Sequence, residues 1–207
     1  MDFQYSSSCY TLQTMDGIIL IGPICAGKST LAALLEKGLH LPRIEVDELR
    51  WQYFNDIGYS EDEARRIFQS QGNLGVLRYS KPFEAQMVEK VLAEHPKKII
   101  DMGAGHSVYD RPEDFERVSK ALSPYKHVIL VLPSPDAGRS IAVLNKRFAK
   151  LLRSENIEST PEMMQLNEDF VRNPSNAKLA KRTIYTEGKS PQECCAEIID
   201  WIERSGN

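Results

Sequence analysis

Lys28 and Ser29 close the segment Gly22-Pro23-Ile24-Cys25-Ala26-Gly27-Lys28-Ser29, and these residue types at this spacing suit one task, holding a polyphosphate. The segment fits the G-x-x-x-x-G-K-[ST] pattern of a phosphate-binding loop. Gly22 and Gly27 let the backbone turn sharply and approach an anion with no Cβ in the way. The amides from Cys25 and Ala26 through Thr30 then face a common centre at the positive end of a helix dipole. Lys28 is expected to reach the β- and γ-phosphates of ATP, and Ser29 to set its hydroxyl on Mg²⁺. Cys25 lies in the same loop near a helix N-terminus, a place expected to favour its thiolate.

Such a loop needs a strand before it and a helix after it, and the chain supplies both. Residues 18–21 are a continuous apolar run rich in β-branched side chains, as a strand buried on both faces requires. Residues 30–37 read as a helix with Leu31, Leu34 and Leu35 on one face. Further strands are expected at 43–46, 98–102, 127–132 and 182–186. A helix is expected from 61 to about 71, with Ser60 and Glu63 forming a capping box and Gly72 stopping it. Another should start at Ser80-Lys81-Pro82, with Phe83, Met87 and Val91 as its buried stripe. Helices at 112–122, about 136–153 and 191–204 complete the set, and 154–177 reads as a polar stretch. Strands alternating with helices predict an α/β fold: a three-layer, doubly wound sandwich around a five-stranded parallel sheet, in one domain. Ligands in this architecture sit at the carboxyl ends of the strands.

That geometry should bring further residues to the phosphate loop. Asp47 ends the second strand and is expected to orient or deprotonate an acceptor hydroxyl, or to hold a metal-bound water. Asp101 ends the third strand, where an aspartate often holds Mg²⁺ through water. The order of features leaves open whether Asp47 or Asp101 makes the metal contact. Gly103 and Gly105 should let the backbone approach the acceptor, with His106 facing the same cleft. Arg78 is suited to bidentate pairing with an acidic acceptor. Helix 136–153 turns Ile141, Leu144, Phe148, Leu151 and Leu152 to one face and Arg139, Lys146, Lys150 and Arg153 to the other, with Arg147 at the border. Arg147, and after it Arg153, is the expected contact to the transferring phosphoryl group. Trp51, Tyr53, Phe54 and Tyr59 would line a pocket for a ring or base, or pack in the core.

The formal net charge of −3 argues against a polyanion as the main partner. No apolar run approaches the length of a membrane span. The opening MDFQYSSSCYTLQTMDG has neither the basic nor the apolar region of a secretory signal, and 1–14 read as a loose polar arm. Cys9, Cys25, Cys194 and Cys195 fit no zinc spacing and read as reduced thiols of a cytoplasmic protein.

From residue 16 to 203 the order of these features resembles the shikimate-kinase branch of the nucleoside-monophosphate-kinase-like P-loop kinases. GPICAGKST matches the family's phosphate loop, and Glu45-Val46-Asp47 stands at its D-x-D motif. Phe68, Gly72 and Arg78 resemble its I-F…G-E…F-R run. Gly103-Ala104-Gly105 stands at its glycine triplet, and Asn145-Lys146-Arg147 where its lid arginine falls. Tyr185-Thr186-Glu187-Gly188-Lys189 resembles the Tyr-x-Glu run whose loop touches adenine. The resemblance implies a P-loop NTPase fold with a helical lid at about 139–177 and an acceptor-binding helical region at about 48–95. It also implies Arg78 as the acceptor arginine and Lys189 at the nucleotide. The chain departs from the pattern at Glu45, at Ala104 with His106 behind it, and in lacking the lid's Arg-Pro-Leu-Leu. Lys181 and Arg182 stand near the place of the family's carboxylate-binding arginine. These departures touch the acceptor pocket more than the nucleotide site.

The expected activity is ATP- and Mg²⁺-dependent transfer of the γ-phosphoryl group to a hydroxyl of a small metabolite, by a monomer or homodimer. A nucleoside, nucleotide or nucleic-acid 5′-hydroxyl is the second class of acceptor. A nucleotide-binding switch without catalysis is the third reading.

Overall fold

The computed structural model describes residues 17–205, so the arm expected at 1–14 and Cys9 lie outside the described residues. Five short segments form the strands β1 (Ile18–Ile21), β2 (Arg43–Glu45), β3 (Ile99–Asp101), β4 (His127–Leu132) and β5 (Arg182–Tyr185). They pair in the order β2-β3-β1-β4-β5, every pairing parallel. The central place of β1 buries all four of its residues, which is why this run shows no polar alternation.

The helices are α1 (Lys28–Leu39), α2 (Val46–Asp56), α3 (Glu61–Glu94), α4 (Pro112–Leu122), α5 (Ala137–Ser154), α6 (Pro161–Arg172), α7 (Pro174–Leu179) and α8 (Pro191–Ser205). Ile19, Ile21 and Ile100 join Phe54 of α2, Met87 and Val91 of α3 and Val118 of α4 in one core. Ile18, Leu20 and Ile99 join Leu35 of α1, Leu144 of α5 and Ile198 of α8 in the other. Helices on both faces of a parallel sheet make the three-layer sandwich that the alternation of runs predicts.

Several elements differ from expectation. The break at Gly72 is present (φ 65°, ψ −162°), but the chain resumes helix directly after it, so Pro82 lies inside α3 and not at a helix start. Gly75 lets that turn fold back closely, since a Cβ there would come 2.9 Å from Ile67 Cγ2. Ser60 caps α3 by accepting from the Glu63 N–H at 3.2 Å, while the Glu63 carboxylate bonds Arg66 and leaves the box open. Residues 154–177 are largely helical. Their starts combine a capping side chain with a following proline: Thr160 Oγ1 accepts from Met163 N–H, and Asn173 Oδ1 from Ser175 N–H. In α5, Leu144 and Leu152 are buried but Leu151 turns to solvent. Among the described residues no helix is long and apolar enough to cross a membrane.

A Cβ on Gly72 would meet nothing within 4 Å, so the dihedrals alone demand glycine there. Gly72→Ala is expected to destabilise the protein by about 1–3 kcal/mol, the usual cost of a side chain in this backbone region. Urea denaturation measures it.

Candidate active site

After β1 the chain turns through Gly22 (φ 139°), Cys25 (φ 59°) and Gly27 (φ 104°), and α1 begins at Lys28. Gly22 is needed for close approach, because a Cβ there would lie 2.6 Å from the Val131 carbonyl oxygen. No side chain caps α1, so the amides of its first turn are left to an anion. Lys28 is buried, and its Nζ donates to the carbonyls of Gly22 (2.9 Å) and Pro23 (3.1 Å). Burial lowers the Lys28 pKa, with Asp101 and Asp47 acting against it.

Residues of α5 and α6 hold the same loop. Arg147 of α5 donates to the Cys25 carbonyl at 3.3 Å, and Asn167 of α6 accepts from the Ile24 N–H at 3.1 Å. Arg153 bonds back to Ala149 on its own helix, so of the two candidate arginines Arg147 is the one at the loop. Beside the loop lies a cavity of about 330 Å³ lined by Cys25, Gly27, Thr30, Arg147, Thr186 and Lys189. Thr186 Oγ1 is buried there without a hydrogen-bond partner among the described residues. A larger cavity of about 610 Å³ follows the β2 edge between Glu36, Arg43, Glu48 and His95, away from the glycine loop. Burial pushes the Cys25 thiol up in spite of Lys28 and Arg147 nearby. The expectation of a favoured thiolate is therefore reversed: desolvating the anion costs more than the two cations return.

Asp101 is buried at the end of β3, in register with Leu20 and Glu45. Burial raises its pKa, while a hydrogen bond from Ser29 and the Lys28 charge pull it down. Asp47, in the first turn of α2, faces a different group. Its side chain is 69% exposed and its Oδ1 lies 3.6 Å from His106 Nε2. A Cβ on Gly103 would fall 2.3 Å from that Oδ1 and 2.7 Å from His106 Cε1. The protein's own side chains thus require Gly103 to be bare.

His106, expected to face the cleft, is 2% exposed and lies folded under the turn. Its Nδ1 accepts from the Gly103 N–H at 3.1 Å, a bond that draws the ring inward. Burial lowers its pKa, against the pull of Glu84 and Asp47. Beneath Gly105, Lys81 Nζ donates to the Gly105 carbonyl at 2.7 Å and to Glu84 at 2.8 Å, and Arg50 reaches the other Glu84 oxygen at 3.3 Å. Burial by itself would raise the Glu84 pKa, but the Lys81 and Arg50 charges bring it down.

Arg78 lies one helical turn before Lys81, exposed and without a hydrogen bond or ion pair to the described residues. The basic side chain that α3 turns to the Gly103 turn is Lys81. Arg182 pairs at 3.7 Å with Glu197 of α8, on the face opposite α2 and α3, so it does not join the acceptor side. Lys81, Glu84, Arg50, Asn167 and Thr186 were not singled out from sequence. One signal was available: Glu84 borders the apolar stripe of Phe83, Met87 and Val91, where a carboxylate must be paired.

A parallel sheet with its central strand feeding a phosphate loop, helices α5 and α6 bonded to that loop and a second helical region opposite define a P-loop kinase of small molecules. The family model described as shikimate kinase matches residues 24–203, and the chain belongs to the shikimate kinase family. A shikimate kinase of Dehalococcoides mccartyi is 26% identical over 197 residues, covering 95% of this chain and 98% of the relative. One of Xanthomonas euvesicatoria pv. vesicatoria is 26% identical over 183 residues, covering 88% and 89%. The solved shikimate kinase from Acinetobacter baumannii in complex with shikimate shares the fold with a TM-score of 0.63 at 18% identity, covering 94% of this chain and 96% of that one. A gluconokinase from Sinorhizobium meliloti does so with a TM-score of 0.54 at 15% identity, covering 91% and 92%. As a member of this family the chain is an ATP-dependent kinase that transfers phosphate to a hydroxyl of a small molecule.

Gly103→Ala is expected to leave the fold intact and to lower turnover roughly 100-fold, because the new methyl displaces Asp47 by about an ångström or more. Steady-state kinetics with a circular-dichroism control checks it. Alkylation of Cys25 by iodoacetamide is expected to block ATP binding and to be slow at pH 7. Its rate should rise about tenfold per pH unit through pH 8, since the raised thiol pKa keeps the thiolate scarce there.

Proposed function

We propose that the acceptor is a small hydroxylated acid of the shikimate type, seated between the helical region of 48–95, the Gly103 turn and the lid of 139–177. The observation that carries this reading is Arg78 of α3, exposed and with no partner among the described residues, on the helix whose Lys81 joins Arg50 in balancing the carboxylates of Glu84 and Asp47. An unpaired arginine suits an acid better than a neutral sugar or nucleoside. Phe54, Tyr59, Tyr79 and Phe83 pack ring to ring at 4.7 to 5.2 Å and offer no free platform for a base, while Trp51 stands exposed at the edge of the cluster.

ATP lies with its phosphates on the loop amides from Cys25 and Ala26 to Thr30, and Lys28 reaches the β- and γ-phosphates. Its base occupies the cavity between Thr186 and Lys189. Ser29 and Asp101 would hold Mg²⁺, a role supported by the burial of the Asp101 carboxylate at the end of β3, beside the strand that feeds the loop. The ion, when bound, neutralises phosphate charge. Asp47 receives the proton as the acceptor O–H bond breaks. The hydroxyl oxygen bonds to the γ-phosphorus while the bond from that phosphorus to the β,γ-bridging oxygen breaks, and ADP leaves. Arg147 stabilises charge on the group in flight. Gly103 and Gly105 let the turn approach the acceptor. A cytoplasmic setting, where ATP is supplied, accords with the free thiols of Cys25, Cys194 and Cys195.

ADP release with Mg-ATP is measured against shikimate, gluconate, nucleosides and oligonucleotides. Shikimate or a close hydroxy acid should stimulate it most, and Lys28→Ala should lower the stimulated rate about 100-fold or more with the fold retained. Stimulation by nucleosides or oligonucleotides alone would overturn the acceptor class, and undiminished turnover by Lys28→Ala the mechanism.

A further inference from the structure

A tight turn after a strand does not need an imidazole, yet the turn at Gly103 is built around one. The Gly103 N–H donates to His106 Nδ1 at 3.1 Å, so in the neutral ring the proton resides on Nε2. That N–H looks toward Asp47 Oδ1, 3.6 Å away. The distance is longer than a hydrogen bond, and the exposed Asp47 side chain closes it by a small rotation about its own bonds. The other charged groups facing the ring are Glu84 and Lys81 of α3 and Arg50 of α2. They are engaged with one another, which leaves Asp47 as the carboxylate open to Nε2.

We infer that His106 is a positioning residue for phosphoryl transfer: its Nε2–H occupies one oxygen of Asp47 and so turns the other toward the acceptor hydroxyl. The inference rests on the reading of Asp47 as the group that receives the hydroxyl proton. An aspartate at the exposed start of a helix samples several rotamers, of which one serves the reaction, and a fixed donor selects it. A neutral donor does this without the full charge that would make the carboxylate a weaker base. Gly103 belongs to the same device, because any side chain there would enter the space that Asp47 and His106 share.

Two substitutions separate this role from a structural one. His106→Asn keeps an acceptor for the Gly103 N–H and removes the donor to Asp47. His106→Gln returns an N–H close to the place of Nε2. With Mg-ATP and shikimate, His106→Asn should lower kcat at least about tenfold with the KM for ATP unchanged, and His106→Gln should recover most of it. Without any acceptor, ¹⁵N imidazole spectra should contain a ring in the Nε2–H form that is absent from His106→Asn and shifted in Asp47→Asn. A wild-type kcat in His106→Asn, or a proton on Nδ1, or a resonance indifferent to Asp47→Asn would overturn the inference. Full turnover by Asp47→Asn would instead overturn the reading of Asp47. An inactive Asp47→Asn beside a fully active His106→Asn would remove the positioning role alone.

Discussion

The unsatisfied amides at the start of α1 are the constraint around which the molecule is arranged. A helix that begins at Lys28 with only Gly27 before it has no side chain to accept from its first turn. An anion completes it, and the backbone must approach that anion through three residues with positive φ, one of them Cys25. A side chain in the left-handed region costs about 1–2 kcal/mol, so the loop needs support from outside. The lid gives it: Arg147 takes the Cys25 carbonyl and Asn167 the Ile24 amide. The phosphate nest is thus shaped by residues more than a hundred positions away in sequence, before any phosphate arrives.

On the acceptor side the governing quantity is the cost of burying charge. Glu84 is 3% exposed within a helix whose neighbouring side chains are apolar. It is tolerated because Lys81 and Arg50 reach its two oxygens, and removing either cation would leave a buried carboxylate short of a partner. The same triad braces the Gly105 carbonyl through Lys81. Charge that supports the turn also sets the electrical character of the space above it.

The strands and the nucleotide residues were legible because their signals are local. Burial on both faces leaves a continuous apolar run, as in 18–21 and 127–132, and in a parallel sheet the residues that follow such runs collect at one edge. Lys28, Ser29, Asp47, Asp101 and Gly103 could therefore be placed at that edge without knowing any contact. The acceptor side was less legible, for identifiable reasons. A break at Gly72 resets helical phase, so the direction that Lys81 takes toward the Gly105 carbonyl could not be read from residue spacing. The sign of the Cys25 shift depends on how much water the folded loop excludes, a property of the lid and not of the loop. His106 was assigned to the cleft because it follows a glycine turn, and only the bond from Gly103 draws it under. The helices of the lid were announced by Thr160-Pro161 and Asn173-Pro174, but their polar composition masked an apolar face of few residues.

Helix α6 has one further property. Asn167 grips the phosphate loop, and one turn later Phe170 lies beneath Gly105, where a Cβ would sit 3.6 Å from its ring. Just beyond, Asn176 ties Ser107 to the Phe170 carbonyl. A single helix therefore touches both the phosphate loop and the Gly103–Gly105 turn. A ligand held at one of the two places would steady the helix and spare a ligand at the other part of the entropy of arrival, with no displacement of the backbone required.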